Sequence, residues 1–261
     1  MNKDYKTKIN IDYGFEVNKL RPITTYSETL QNAQCANLHK HPRAQIISCD
    51  RGIMEVVTKE QIWIVNPSQS VWISSFEEHQ VYFPHHVNII SVFIDASKLS
   101  HLPKNSFAFD TPDFFKSLLH KVISFHNPRR FSVQQSRVVE VLLDEISMLK
   151  PTTTFLPTSQ NKRIKIVTDA LLNDLSCRHN LAYFADKINV SPRTLSRLFS
   201  KELGMSFGDW RIKMKLMEAI KQLEEGKSVK EISFDLGYEN VSSFISTFKK
   251  HLGKTPTNYK I

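Results

Sequence analysis

The sequence predicts two domains, an all-β barrel followed by helices and then an all-α domain built on two helix-turn-helix units. Three observations predict this. The chain has 261 residues, against a usual ~100–200 per domain. Its first half carries short β-branched and aromatic runs between turn residues, whereas everything beyond Ser159 has helical periodicity. Positive charge is also uneven: residues 162–261 hold 18 Lys and Arg against 11 Asp and Glu, net +7, and residues 1–161 hold 17 against 15, net +2. With 41% hydrophobic and 23% charged residues, a packed core is expected rather than disorder.

The elements follow in order. Ala44–Asp50, Ile53–Thr58, Gln61–Val65, Val71–Ile73, Gln80–Phe83 and Val87–Ile94 read as strands, separated by turns such as Asp50-Arg51-Gly52 and Asn66-Pro67-Ser68. Many short strands at close spacing point to an antiparallel barrel or sandwich. Thr111-Pro112 opens a helix to about Phe125, with Phe114, Leu118, Leu119 and Val122 expected on one face. A second helix, Ser132–Leu149, carries a stripe of Val138, Val141, Leu142, Glu145 and Leu149, and a contribution to a homodimer is expected from it. The proline-bounded stretch Lys150–Pro157 cannot continue a helix and reads as a linker. The expected domains are therefore residues 1–150, a linker at 151–160, and residues 161–261.

Beyond the linker the predicted helices are Lys162–Leu175, Leu181–Ile188, Ser191–Leu203, Ser206–Glu224, Val229–Leu236 and Val241–His251. They contain a repeat. A shift of 48 lays Leu181, Phe184, Ala185 and Ile188 on Val229, Ile232, Ser233 and Leu236. A shift of 49 lays Ser191, Leu195 and Phe199 on Asn240, Phe244 and Phe248, so one residue is inserted near Gly237-Tyr238-Glu239. Each copy is a short helix, a tight turn, and a helix with one apolar and one polar face. In the first copy Arg193, Thr194, Ser196, Arg197 and Lys201 are expected outward; the two guanidiniums, one turn apart, suit guanine edges or phosphate. In the second, Val241, Ser242, Ile245, Ser246 and Lys249 offer methyl and hydroxyl contacts instead. A duplicated, capped unit in the basic third of the chain points to double-stranded DNA as the partner.

Several function classes find no support. There is no GxGxxG, GxxxxGK[ST], HExxH or GxSxG. Cys35, Cys49 and Cys177 fit no zinc spacing and read as reduced thiols. The polar start MNKDYKTK suggests no secretory leader, and the run Ile89–Ile94 is far short of the ~20 apolar residues that span a bilayer, so a cytoplasmic protein is expected.

Residues 181–260 resemble the DNA-binding domain of the AraC/XylS family of bacterial transcription regulators. The resemblance is carried by Leu195-Ser-Arg-Leu-Phe199, Gly204-Met-Ser-Phe207, Ala219, Ile232, Gly237-Tyr238, Phe244, Phe248-Lys-Lys250 and Gly253-x-x-Pro256-x-x-Tyr259. It implies two helix-turn-helix units joined by a long helix, here Phe207–Glu224, with recognition helices entering successive major grooves ~34 Å apart. It also implies base reading by Arg193, Ser196 and Arg197, and by Val241, Ser242, Ile245 and Ser246. An activator of this family has RNA polymerase as a further partner. Ser233 departs from the family's usual alanine, Lys215 from its usual arginine, and Ser246 from a position often arginine.

In the N-terminal half, His39-x-His41-x3-Gln45-x6-Gly52, followed by Pro67 and His79, resembles the cupin motifs, with Gln45 where Glu is usual. His39 and His41, two apart, are expected on one strand face, with Gln45 and His79 on neighbouring strands. Two occupants fit. The four residues, with Trp63 and Trp72, can line a pocket for a small organic effector, no cofactor being required; or His39, His41 and His79 can ligate a divalent metal. Two functional classes follow: an effector-controlled transcription regulator, or a metal-dependent cupin enzyme with a helical tail. A duplicated basic helix-turn-helix unit, which an enzyme does not need, favours the regulator.

Overall fold

The structure is a computed structural model that describes residues 8–9, 21–95, 101–152 and 154–259. The polar start, residues 1–7, lies outside them. The described strands are β1 (Lys8–Ile9), β2 (Ile23–Leu30), β3 (Gln34–Ala36), β4 (Ala44–Arg51), β5 (Met54–Thr58), β6 (Gln61–Val65), β7 (Gln69–Ile73), β8 (His79–Phe83), β9 (Val87–Ile94), β10 (Phe107–Asp110) and β11 (Phe155–Pro157). The helices are α1 (Asp113–Ile123), α2 (Val133–Ser147), α3 (Lys162–Asn173), α4 (Leu181–Lys187), α5 (Pro192–Leu203), α6 (Phe207–Glu224), α7 (Val229–Asp235) and α8 (Val241–Leu252). A 3-10 turn, Pro256–Tyr259, follows. The order of a β-rich half, two helices and an all-helical half is that expected from the sequence. The six expected strands are β4–β9, whereas β1, β2, β3, β10 and β11 are additions to them, and the described strands do not close into a barrel.

The strands form two sheets rather than one ladder closed on itself. One runs β1-β3-β8-β5-β6-β11 and the other β10-β7-β4-β9-β2. β2 is the longest strand that the sequence hides. Thr24, Thr25, Ser27, Glu28 and Thr29 make it look like a polar loop, yet it pairs along its whole length with β9, from Ile23–Ile94 to Leu30–Val87.

The five-stranded sheet is covered on one face by α1 and α2. Ala44, Ile46, Trp72, Ile90, Val92 and Ile94 meet Phe115, Leu118, Leu119, Val122, Val139, Leu142, Leu143 and Ile146 there. Covering this face makes β4, β7 and β9 buried over nearly their whole length, the continuous apolar pattern of a sheet with neither face in water. β8, in the other sheet, alternates buried and half-buried residues. On α1 Leu118, Leu119 and Val122 are buried as expected and one position differs, while the α2 stripe sits one residue on from its expected place. On α1 Phe115 is buried and Phe114 is 56% exposed; on α2 the buried set is Val139, Leu142, Leu143 and Ile146, with Val141 40% exposed. The approach of the helices to a twisted sheet sets that rotation, and it commits the α2 stripe to its own core.

By contact density the described chain divides into two compact units, one of residues 8–58 and 63–154, the other of residues 59–62 and 155–259. The expected linker is ordered at both ends. Thr152 donates its N–H to Ala108 O, while Pro157 O accepts from the Trp210 indole on α6 at 2.9 Å. In the second unit most helices open on a side-chain cap. Asn161, Asn180, Ser191, Ser206, Ser228 and Asn240 each accept a first-turn backbone N–H, a contact worth ~1 kcal/mol. The helix α5 ends at Gly204 and α8 at Gly253, both left-handed.

Candidate nucleic-acid interface and histidine cluster

The duplicated unit folds as α4–turn–α5 and α7–turn–α8. In the first, Val190 N–H donates to Ala185 O; in the second, Tyr238 N–H donates to Ser233 O at the same distance, 3.0 Å. The offset of 48 thus persists through Tyr238, while the caps Ser191 and Asn240 are 49 apart. The inserted residue is therefore Glu239. The turn needs one left-handed residue, supplied by Asn189 (φ 52°) and by Gly237 (φ 70°). Glycine is required at the second place: a Cβ on Gly237 would stand 2.5 Å from Ser176 O and 2.9 Å from Ser176 Cα.

Burial sorts the two polar faces. In α5, Leu195, Phe199 and Leu203 are buried, and Arg193, Thr194, Ser196, Arg197 and Lys201 are exposed. In α8, Phe244 and Phe248 are buried; Ser242, Ser246 and Lys249 are exposed, with Val241 and Ile245 half-buried beside them. All ten expected DNA-facing residues thus lie on solvent-side surfaces of these helices.

The long helix α6 braces both units. Arg211 donates to His179 O at 2.8 Å ahead of α4, and Lys215 Nζ donates to Leu236 O at 2.5 Å where α7 ends. Burial lowers the pKa of Lys215, and the amine also faces the Tyr238 ring at 5.4 Å. Lys215, where the resemblance leads one to expect arginine, thus holds the end of α7 through that carbonyl. Ser233 is different: fully buried, its hydroxyl has no hydrogen-bond partner among the described residues, at the position where the first unit has the equally buried Ala185.

In the first unit of the chain, His39, His41 and His79 converge, with one ligand-type atom from each lying within 4.8 Å of the others. Their placement corrects the expected one. His39 sits at an isolated antiparallel bridge with His79, made by His39 N–H to His79 O at 3.0 Å and the reciprocal bond at 2.9 Å. His41 is in the irregular segment before β4, not on a strand face shared with His39. That segment is anchored by Arg43, whose buried guanidinium donates to Arg21 O at 2.8 Å and Pro22 O at 3.3 Å. Gln45, on β4, lies 3.2 Å from His41 Nε2 through Oε1, and its amide nitrogen donates to Ser91 Oγ. The cluster thus joins the two sheets, since His79 opens β8 while Gln45 and Ser91 belong to β4 and β9.

Trp72 does not line this site. It pairs with Ile46 and packs in the helix-covered core, its indole donating to Pro103 O, because neighbours of Gln45 along β4 point to the opposite face. Trp63 is buried on β6. Burial pushes the His79 pKa down to about 3, helped by the adjacent His39, and burial also lowers that of His41. Both rings are neutral at physiological pH.

Comparison with known proteins agrees with the duplicated unit. The family model for a helix-turn-helix domain matches residues 184–260. The chain is 27% identical over 222 residues to the HTH-type transcriptional regulator NimR of Escherichia coli, covering 85% of this chain and 81% of that one. It is 24% identical over 227 residues to the transcriptional activator AggR of Escherichia coli, covering 83% and 81%. Among solved structures, ToxT from Vibrio cholerae aligns over 92% of this chain and 98% of its own, with 13% identity and a TM-score of 0.39. Among the described residues, no helix is long and apolar enough to cross a membrane.

Proposed function

We propose that the chain is a transcription regulator of the AraC/XylS type rather than an enzyme, working as follows. Helices α5 and α8 read double-stranded operator DNA, and a small effector held among His39, His41, Gln45 and His79 controls DNA affinity or activity. The observation that carries the DNA half is the pair of capped helices with exposed polar faces on one basic, duplicated scaffold. Arg193 and Arg197 supply bidentate donors, and Ser242 and Ser246 supply hydroxyls. The observation behind the effector half is a group of polar side chains joining two sheets, with His41, Gln45 and His79 buried and His39 half-buried, where a ligand's hydrogen bonds are strengthened by low dielectric.

By likeness to the activator AggR, the output is activation in the cytoplasm with RNA polymerase as a partner. Homodimerisation rests on the face of α2 left outside its own core, where Val133, Val141 and Met148 are exposed. Sedimentation of the full chain at micromolar concentration tests this; a monomer removes it.

The principal experiment is binding of the full chain to its own upstream DNA at two salt concentrations, with footprinting. Sequence-specific protection is expected, with affinity falling steeply as salt rises. Absence of protected sites across that region, with only nonspecific binding, would count against operator recognition. Loss of the transcriptional response in the double variant His39→Gln/His41→Gln, with DNA binding retained, supports the effector site; an unchanged response rejects it.

A further inference from the structure

The first helices of the two units carry the same stripe of positions with opposite outcomes. Residues four apart share a helix face, so His179, Tyr183 and Lys187 line up along α4 and its entry. The offset of 48 puts Lys227, Glu231 and Asp235 in their places along α7. In the second unit this stripe is closed on itself. Lys227 Nζ donates to Asp235 Oδ2 at 2.8 Å, and Glu231 turns back to accept the Ser228 N–H at 2.9 Å.

In the first unit the stripe is ordered but open. The His179 and Tyr183 rings stack with 3.7 Å between centres and 10° between planes, and Tyr183 meets the buried Phe184 nearly at right angles. Arg211 holds the backbone of this entry through His179 O at 2.8 Å. The pair is nonetheless at the surface: Tyr183 is 45% exposed, and His179 and Lys187 are exposed with it. Among the described residues, the Tyr183 hydroxyl, the His179 ring nitrogens and the Lys187 amine have no hydrogen-bond or ion-pair partner, although Asp186 precedes Lys187. Rings already held in place with their polar atoms free can bind an outside group at little cost in side-chain order.

A helix-turn-helix unit puts its second helix in the major groove while its first crosses the sugar-phosphate backbone. Tyrosine hydroxyls and lysine amines are ordinary donors to phosphate. We infer that His179, Tyr183 and Lys187 form a contact site for the phosphates flanking the groove that α5 reads. The matching stripe of α7 takes no part, because its amine is already paired and Glu231 and Asp235 would face phosphate with like charge. The inference rests on the DNA reading above and adds residues that fix the protein's position on the duplex without reading its bases.

The test is fluorescence anisotropy of the full chain on its own upstream DNA and on an unrelated duplex of equal length, across a range of salt concentrations. Lys187→Gln should weaken both complexes alike and flatten the slope of log affinity against log salt by ~0.9, the share of one phosphate. Tyr183→Phe, which keeps the stacked ring, should weaken both about 3- to 10-fold. Lys227→Gln, at the matching place in α7, should leave the slope unchanged. An unchanged slope in Lys187→Gln, or wild-type affinity in Tyr183→Phe, overturns the site. Weakening confined to the upstream DNA also overturns it, since the stripe would then be reading bases. Equal flattening in Lys227→Gln overturns the asymmetry between the units. If wild type does not prefer its upstream DNA to the unrelated duplex, the operator reading falls, and the slopes still decide the phosphate site.

Discussion

The two helix-turn-helix units are copies in backbone and strangers in chemistry. Both have a buried scaffold position bonded to the turn, a left-handed turn residue, a capped second helix and a glycine at its end. On the solvent side, α5 presents Arg193, Arg197 and Lys201, where α8 presents Ser242, Ser246 and Lys249. Packing thus constrains one face of each helix and leaves the other free to diverge. On the proposed function, the first unit's face suits charged, bidentate contact, and the second's suits contact through hydroxyls and methyl groups.

The sharpest way to break the comparison is at the turn. Gly237→Ala must hold a left-handed φ and push a Cβ into the Ser176 backbone, so a loss of ~2–4 kcal/mol is expected in unfolding of the full chain. Asn189→Gly, at the equivalent place, should change stability by no more than ~0.5–1 kcal/mol, since Asn already tolerates this conformation. Equal losses at the two turns would show that the units are not packed differently.

Next come the reading faces. Arg193→Ala and Arg197→Ala should each weaken operator binding by ~1–3 kcal/mol and relax preference at one base position. Ser242→Ala and Ser246→Ala should each cost no more than ~1 kcal/mol, the net worth of a neutral hydrogen bond. Fluorescence anisotropy on operator and unrelated DNA separates the readings. If an arginine variant weakens both DNAs equally, that side chain holds phosphate only.

A smaller difference lies inside the scaffold. Ser233→Ala removes a buried hydroxyl without a partner and should raise stability by ~1 kcal/mol, whereas Ala185→Ser should lower it by about as much or more. A destabilised Ser233→Ala would mean that the hydroxyl finds a partner in solution. Smallest of all, Ser246→Arg should give α8 the charge that α5 has. The slope of log affinity against log salt should steepen by ~0.9 if the new side chain meets a phosphate. An unchanged slope would place Ser246 away from the DNA backbone.

Much of the molecule was legible in the residues because its causes are local. The caps Ser191, Ser206 and Asn240 stand beside the N–H groups they satisfy, and the spacing of Leu195, Phe199, Phe244 and Phe248 reports a helix period within a few turns. The repeat doubled that signal, and the composition of Val87–Ile94 marked a strand regardless of its partners. Where the determining contact is distant in sequence, the residues misled. The residues of β2 look polar because its partner β9 lies more than sixty residues on, and the α2 stripe differs by one residue from its periodicity because its rotation depends on the sheet beneath it. Motif spacing suggests Trp72 near the histidines, whereas pairing with Ile46 turns it to the other face. His39, His41 and His79 were legible as a group, but their convergence comes from an isolated bridge and from the anchoring of Arg43, not from a shared strand. Short-range hydrogen bonding and periodicity are written residue by residue along the chain, whereas facing, rotation and convergence arise only when two sheets and their covering helices exclude water together.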